Sequence, residues 1–590
     1  MVESAKRWNL VPLSLCLALA ASNANAAQNL DGFDSYVAQV MKDFKVPGVG
    51  VAVVQNGKII LAKGYGFRDA EKQLPITTKT LFPIASITKS FTVTTLGMLV
   101  DEGKLDWDTP VRNYLPGFRM YDPVATDQLT PRDLVTHRAG LPRHDLIWYS
   151  SNFSRKELVE KLRYLEPNKP LRQTFQYNNL MFMTAGYLSG EIDHSTWEDA
   201  VRKHVLVPLG MASTVFNSAD ARKSPDFSQP YRMNYKTEDV KRIDFADWGD
   251  VGPAGAINSN IDDLSRYLLF HLNRGKLEDK QLLSANNAAQ MQTPQMVIQG
   301  TPQFKELGEK AYGMGFFISS YRGHKVVEHG GNLDGFALEL SFLPNDGVGV
   351  VVLTNLDGAA LQSFLAYNVF DRLLGLDQVP WRERFLEIEK KGRDSQTSAE
   401  KQGLTGQKTG THFSHDIGDY CGEYTNVAYG HLTITPANGS LSMTLNRLTR
   451  PLNHFHYETF AVPADPLDSI EKLKITFVTD LNGDVSSLSM PLEPHVKPIV
   501  FERTAEKQMF ERTFLEPFTG DYDVPGSPLA VALRGDNNLV LIQPGRPPLA
   551  LRPTHGTTFE IESLPGEYME FKEKELVEYT PDGVYVFKKK

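Results

Sequence analysis

The chain has 590 residues, 41% of them hydrophobic and 23% charged, which is room for roughly two to four domains with sizeable cores and argues against wholesale disorder. Its net charge of −9 argues against a nucleic-acid binder, because such proteins carry a basic face. The two cysteines, Cys16 and Cys421, cannot build a cysteine zinc cluster, and the 14 histidines show no HExxH spacing, so no metal and no cofactor is expected.

The first 26 residues read as a secretory signal. Lys6 and Arg7 form a charged start, LVPLSLCLALAA is an apolar middle too short for a good membrane span, and Ala24-Asn25-Ala26 is a small-x-small site before a cut. Cys16 leaves with this segment, so no internal disulfide remains. No later stretch is long and apolar enough to span a bilayer, and the expected location is the periplasm or outside the cell. VGVAVVQNGKIILAKGYG (49–66) is two alternating runs joined by Asn56-Gly57, a strong hairpin signal because both residues tolerate positive φ. A helix is expected from Ser86 to Glu102, stopped by Gly103, and others over 155–164, 179–191 and 261–274. Strands return at 324–331, 335–344 and 347–355, and a helix near 358–375 follows. Strands at both ends with helices between predict a helical cluster beside one antiparallel sheet, an α+β domain over 27–378.

Residues 379–412 are polar and charge-dense and read as a linker. Beyond it the chain reads as all-β. YCGEYTNVAYGHLTITPANGSLSMTL (420–445) and FTGDYDVPGSPLAVALRGDNNLVLI (518–542) each open with an aromatic and Gly-x-Tyr and then show two runs about a turn. This faint repeat predicts two barrel-like units, 413–503 and 510–590, because closure removes exposed edges; one larger barrel is the rival.

Three motifs carry chemistry. In PIASITKSFT (83–92), a helix opening near Ser86 puts Lys89 one turn on, on the same face, with helix amino-end N–H groups suited to an oxyanion. The lysine must be neutral to take the serine proton, which burial and nearby cations can bring about. A serine cap before a solvent-facing lysine would give the same letters, and Ser-x-x-Lys recurs at Ser398 and Ser469. In TFQYNNLMF, Tyr177 is a candidate proton relay and Asn179 a candidate substrate contact, with Ser150-Ser151-Asn152 a competitor for the same role. In His329-Gly330-Gly331-Asn332, glycines allow close approach of a substrate, and an N–H there would complete an oxyanion hole with that of Ser86.

Together, in this order, the motifs resemble those of the β-lactamase and penicillin-binding protein superfamily, in its branch of class C β-lactamases, D-aminopeptidases, DD-peptidases and related esterases. The resemblance covers roughly 28–378 and includes LTPRDLVTHRAGLP (129–142) and GPAGAINSNIDDLSRYL (252–268). It implies an acyl-enzyme mechanism without metal. Ser86 is then the nucleophile, Lys89 its base partner and Tyr177 the relay. Asn179, His329 and Gly331 line the substrate site, and the Ser86 and Asn332 N–H groups form the oxyanion hole. The β units resemble lipocalin-like domains that follow some peptidase members. His-Gly-Gly stands where many β-lactamases and DD-peptidases have Lys-Thr-Gly, which takes away a permanent cation and favours an amide or ester without an essential carboxylate. The expected function is a serine peptidase on small or D-amino-acid-containing peptides; an esterase or weak β-lactamase, and a catalytically silent ligand-binding protein, are the alternatives.

Overall fold

A computed structural model describes residues 30–590 apart from 247, 359, 402–405, 469, 482, 524–527 and 565; side chains at 396–401 are also outside the description. The expected signal segment and Cys16 therefore lie outside the described residues. The chain divides into two compact units, the first running to Gly406 and including Asp465–Ser469, the second made of Gln407–Ala464 and Ile470–Lys590.

The first unit opens with helix α1 (Phe33–Asp43), followed by strands β1 (Gly48–Gln55) and β2 (Lys58–Asp69). Their two-residue turn has φ 48° at Asn56 and 76° at Gly57, the left-handed pair that matches strand twist. Strand β3 (Leu74–Pro75) lies at one edge of the sheet. Helix α2 (Thr88–Asp101) follows a single 3-10 turn at Ala85–Ile87 and is buried nearly all round, so its polar residues need internal partners. They have them: the hydroxyls of Ser90, Thr94 and Thr95 donate to the carbonyls of Ile87, Ser90 and Phe91, and Thr92 donates to Pro253 O. Gly103, at φ 71°, follows the helix end. Helix α3 (Asn179–Ile192) starts at Asn178, whose side chain accepts from Met181 N, and helix α4 (Ile261–Leu272) starts at Asn260, which accepts from Asp263 N.

The later strands are β4 (Met296–Val297), β5 (Ala311–Tyr312), β6 (Phe317–Tyr321), β7 (His324–Leu333), β8 (Phe336–Leu343) and β9 (Val348–Thr354). With the early ones they form a nine-stranded antiparallel sheet in the order β4-β5-β6-β7-β8-β9-β1-β2-β3. One face packs on α1 and on helix α5 (Leu361–Leu373) through Phe33, Val37, Val352, Phe364 and Phe370, all buried. This is the predicted sheet with its helical cluster.

The segment 379–412 differs from the expected linker. It is helical over α6 (Trp381–Lys401), and its first turns belong to the core of the first unit. Trp381 is fully buried and donates from Nε1 to Tyr321 Oη at 3.1 Å, and Arg384 pairs with Glu306. Charge density conceals one apolar edge, Trp381 with Phe385 four residues on.

The second unit holds two closed eight-stranded barrels, not one large one. The first closes where Tyr424 lies opposite Arg503, the second where Tyr522 lies opposite Lys589. The sequence repeat has a structural counterpart: Tyr424 Oη donates to Tyr420 O and Tyr522 Oη to Phe518 O, each at 2.9 Å and each four residues back. Gly422 and Gly520 both have φ 140° between those partners.

Candidate active site

Ser86 sits at the centre of the 3-10 turn that heads α2, and it is half-buried where its neighbours from 81 to 90 are all buried. The residue before it, Ala85, has φ 45°, a left-handed conformation that costs a non-glycine residue energy and needs surrounding structure to hold it. Strand β7 supplies part of that support. A Cβ on Gly331 would lie 2.4 Å from Ile84 O and 3.3 Å from Ala85 Cβ, so the strand backbone rests directly on the chain entering the Ser86 turn. Asn332 follows on the same strand and is exposed.

Lys89 is fully buried. Its Nζ lies 3.0 Å from Ser86 Oγ, 2.8 Å from Asn179 Oδ1 and 2.8 Å from Ala254 O. Burial holds its pKa well below the ordinary lysine value; the Arg143 guanidinium pushes the same way and Asp145 opposes. The solvent-facing alternative for Lys89 is thus ruled out.

Tyr177 completes the group. Its hydroxyl hydrogen-bonds Ser86, and burial raises its pKa, so it stays a neutral phenol. Lys89 Nζ lies 4.8 Å from the ring centroid and Arg143 Cζ 5.1 Å. His137 stacks on the ring at 4.2 Å, and its Nδ1 accepts from the N–H of Asn178, the cap of α3, so one imidazole supports Tyr177 and the helix start behind it. Among the described residues the competitor Ser150-Ser151-Asn152 shows no such contact: Lys89 is bonded to Asn179, and Asn152 is exposed.

His329 is buried beside Tyr177, ring centroids 6.3 Å apart. Its Nδ1 lies 2.7 Å from Gly330 O, which can only accept, so the proton is on Nδ1 and Nε2 accepts from Tyr312 Oη at 3.1 Å. Burial, helped by Lys89, lowers its pKa to about 3, and the ring is neutral at physiological pH.

The structure therefore gathers Ser86, Lys89, Tyr177, Asn179, His329 and Gly331 at one place. It adds Arg143, Asp145, His137, Tyr312 and the Ala254 carbonyl, which the motifs did not single out. His137 and Ala254 lie inside 129–142 and 252–268; Arg143 and Asp145 fall just past the first stretch, with no local signal. A serine beside a buried lysine of lowered proton affinity, with a phenol alongside, is equipped for nucleophilic attack on a carbonyl.

Comparison with known proteins agrees with this chemistry. A family model described as Beta-lactamase matches residues 33–373, and one for a domain of unknown function, DUF3471, matches 407–512. The chain is 30% identical over 421 residues to an "Unguisins hydrolase ungD'" of Aspergillus campestris, covering 68% of this chain and 77% of that protein. It is 25% identical over 332 residues to "Protein flp" of Staphylococcus aureus, covering 55% and 62%. Its fold is like that of an octameric penicillin-binding protein homologue from Pyrococcus abyssi, with a TM-score of 0.54 at 22% identity over 80% of this chain and all of that one. The family match over more than half the chain assigns it: this protein belongs to the Beta-lactamase family of serine hydrolases.

Proposed function

We propose that the protein hydrolyses amide bonds of small or D-amino-acid-containing peptides through an acyl-enzyme on Ser86. The observation that carries this reading is the Lys89 amine, buried and depressed in pKa, 3.0 Å from Ser86 Oγ. In the proposed reaction Ser86 Oγ attacks the carbonyl carbon as Lys89 Nζ takes its proton. The oxyanion is met by backbone N–H groups of Ser86 and Asn332. Tyr177 passes a proton to the leaving nitrogen, and a water then releases the acyl group with the same groups acting in reverse.

His329 bears on the choice of substrate. A neutral, buried imidazole offers no cation to a substrate carboxylate, which favours a peptide or amide and makes an ester the second choice. The leader-like residues 1–26 support work in the periplasm or outside the cell, and the purified secreted form is expected to begin at Ala27.

The test is a turnover screen against D-amino-acid amides, short p-nitrophenyl esters and nitrocefin, with intact-mass analysis after a fluorophosphonate. Amide turnover with a single adduct on Ser86 is expected. Esters turned over without amides would move the protein to the esterases. Absence of any adduct and of any turnover in folded protein would leave a ligand-binding protein.

A further inference from the structure

The chemistry proposed for Ser86 and Lys89 places a demand on a third residue, whose role rests on that proposed reaction. Lys89 Nζ has three polar neighbours: Ser86 Oγ, Asn179 Oδ1 and Ala254 O. A charged ammonium would give one proton to each. The neutral amine, which is the base, has two N–H bonds and one lone pair. Ala254 O and Asn179 Oδ1 can only accept, so they take the two N–H bonds, and the lone pair is left for the Ser86 O–H.

This arrangement holds in one of the two rotations of the Asn179 amide. Turned over, Asn179 would present its NH₂ to Lys89 and compete with Ser86 for the lone pair. Asp145 decides between them. Its Oδ1 accepts from Asn179 Nδ2 at 3.0 Å, and a carboxylate has no proton to give, so it favours this rotation and repels the other. Asp145 is itself fixed by two further donors: Trp148 Nε1 at 3.1 Å on the same oxygen and Arg143 Nε at 2.6 Å on Oδ2. We infer that Asp145 is a positioning residue for the general base, locking the Asn179 amide so that the lone pair of neutral Lys89 points at Ser86 Oγ.

An asparagine at 145 is the informative change. Three donors surround the site, and an amide accepts at one end alone. The guanidinium of Arg143, charged and at 2.6 Å the shortest of the three, claims the amide oxygen, which leaves the NH₂ against Trp148 and Asn179 and turns Asn179 over. A purely electrostatic role predicts something else. The charge of Asp145 raises the proton affinity of Lys89, against burial and Arg143, so removing it would lower the Lys89 pKa further. The other groups facing Lys89 stay as they are: His137 and His329 are held neutral by burial, and Tyr177 remains a phenol. Electrostatics alone would leave the plateau kcat intact and carry the acid limb of activity to lower pH.

The experiment measures kcat and KM from pH 5 to 9 on a chromogenic substrate that the full chain turns over, for wild type, Asp145→Asn, Asn179→Ala, the double variant, Trp148→Phe and Ser86→Ala. We expect Asp145→Asn to lower the plateau kcat by roughly thirtyfold or more with KM changed by less than about threefold. The double variant should be no slower than Asn179→Ala alone, since there is then no amide to orient. Trp148→Phe leaves the carboxylate with its Arg143 and Asn179 bonds, which suffice to hold it, and is expected to keep kcat within about threefold. An intact plateau in Asp145→Asn, multiplicative losses in the double variant, or an equally deep loss in Trp148→Phe would each overturn the assignment. Turnover that survives in Ser86→Ala would instead overturn the underlying reading, and the two failures are told apart by that control. Melting curves check that each variant is folded; should Asp145→Asn be unfolded, the Trp148→Phe and Asn179→Ala results, with Asp145→Glu expected to recover part of kcat, carry the decision.

Discussion

In the proposed reaction Lys89 is the base, and burial, with Arg143 pushing the same way, makes its charged form costly. Among the described residues Lys89 makes no ion pair, its two fixed acceptors are neutral, and Arg143 repels a proton on it more strongly than Asp145 attracts one. Activity should therefore fall on the acid side as Lys89 takes up a proton, and it should survive to a lower pH than an exposed lysine would allow. Tyr177 and Lys89 share Ser86 and lie 4.8 Å apart, ring centroid to Nζ, so they should act as a unit. Lys89→Ala and Tyr177→Phe are each expected to cost roughly a hundredfold in kcat/KM, and the double variant much less than their product. Stopped-flow acylation of the four proteins measures this; losses that multiply would mean two separate proton paths.

At the level of elements, the site is a junction between the head of α2 and strand β7. The strand brings His329 and Gly331 to the side that meets the Ser86 turn, with Leu340 and Leu338 opposite them on β8. Period-two alternation places His329 and Gly331 on one face and Glu328 and Gly330 on the other. Contact between turn and strand requires that position 331 lack a Cβ. Gly331→Ala would put a methyl group 2.4 Å from Ile84 O, against backbone that cannot swing away. We expect the strand to be pushed from the turn, with Ser86 labelling by a fluorophosphonate slowed by roughly a hundredfold and thermal stability reduced by about 1–3 kcal/mol. Unchanged labelling kinetics in this variant would show that the catalytic serine does not depend on that approach.

Burial has two consequences for the whole molecule. Trp381 belongs to the catalytic unit although its surroundings in sequence are polar, so the safe boundary lies after α6. A chain of 27–406 is expected to fold and be acylated at Ser86. A chain of 27–380 loses the Trp381 side chain and its bond to Tyr321, at a cost of about 3–5 kcal/mol. Melting temperatures and labelling of the two proteins compare these directly, and equal stability would place Trp381 outside the core. The second consequence concerns acid. His271 is enclosed by Tyr267, Phe270, Phe316 and Phe342, neither ring nitrogen has a partner among the described residues, and burial alone lowers its pKa to about 3. The unfolded chain takes up that proton near the ordinary value of 6.5, so between 6.5 and about 3 the unfolded state binds more protons. Stability should decline as pH falls through that window, with His137 and His329 contributing in the same direction. His271→Phe should shrink the drop in melting temperature between pH 7.5 and pH 5; an unchanged drop would assign acid sensitivity to other groups.

Local pattern was enough for much of this protein. Asn56-Gly57 announces its hairpin, 179–191 its helix, and the alternating runs from 324 to 355 their three strands, because turn chemistry and side-chain period act between near neighbours. The order of Ser86-x-x-Lys89, Tyr177-x-Asn179 and His329-x-Gly331 was legible for the same reason. What the tertiary structure alone decided depends on residues far apart in the chain. Whether Lys89 is neutral turns on its burial and on Arg143, 54 positions away. The rotation of Asn179 turns on Asp145, the place of α6 on Tyr321, and the choice of two barrels on which strand meets the first. Composition and periodicity record what a residue needs from its immediate neighbours; the partner that meets the need from across the fold is chosen by packing.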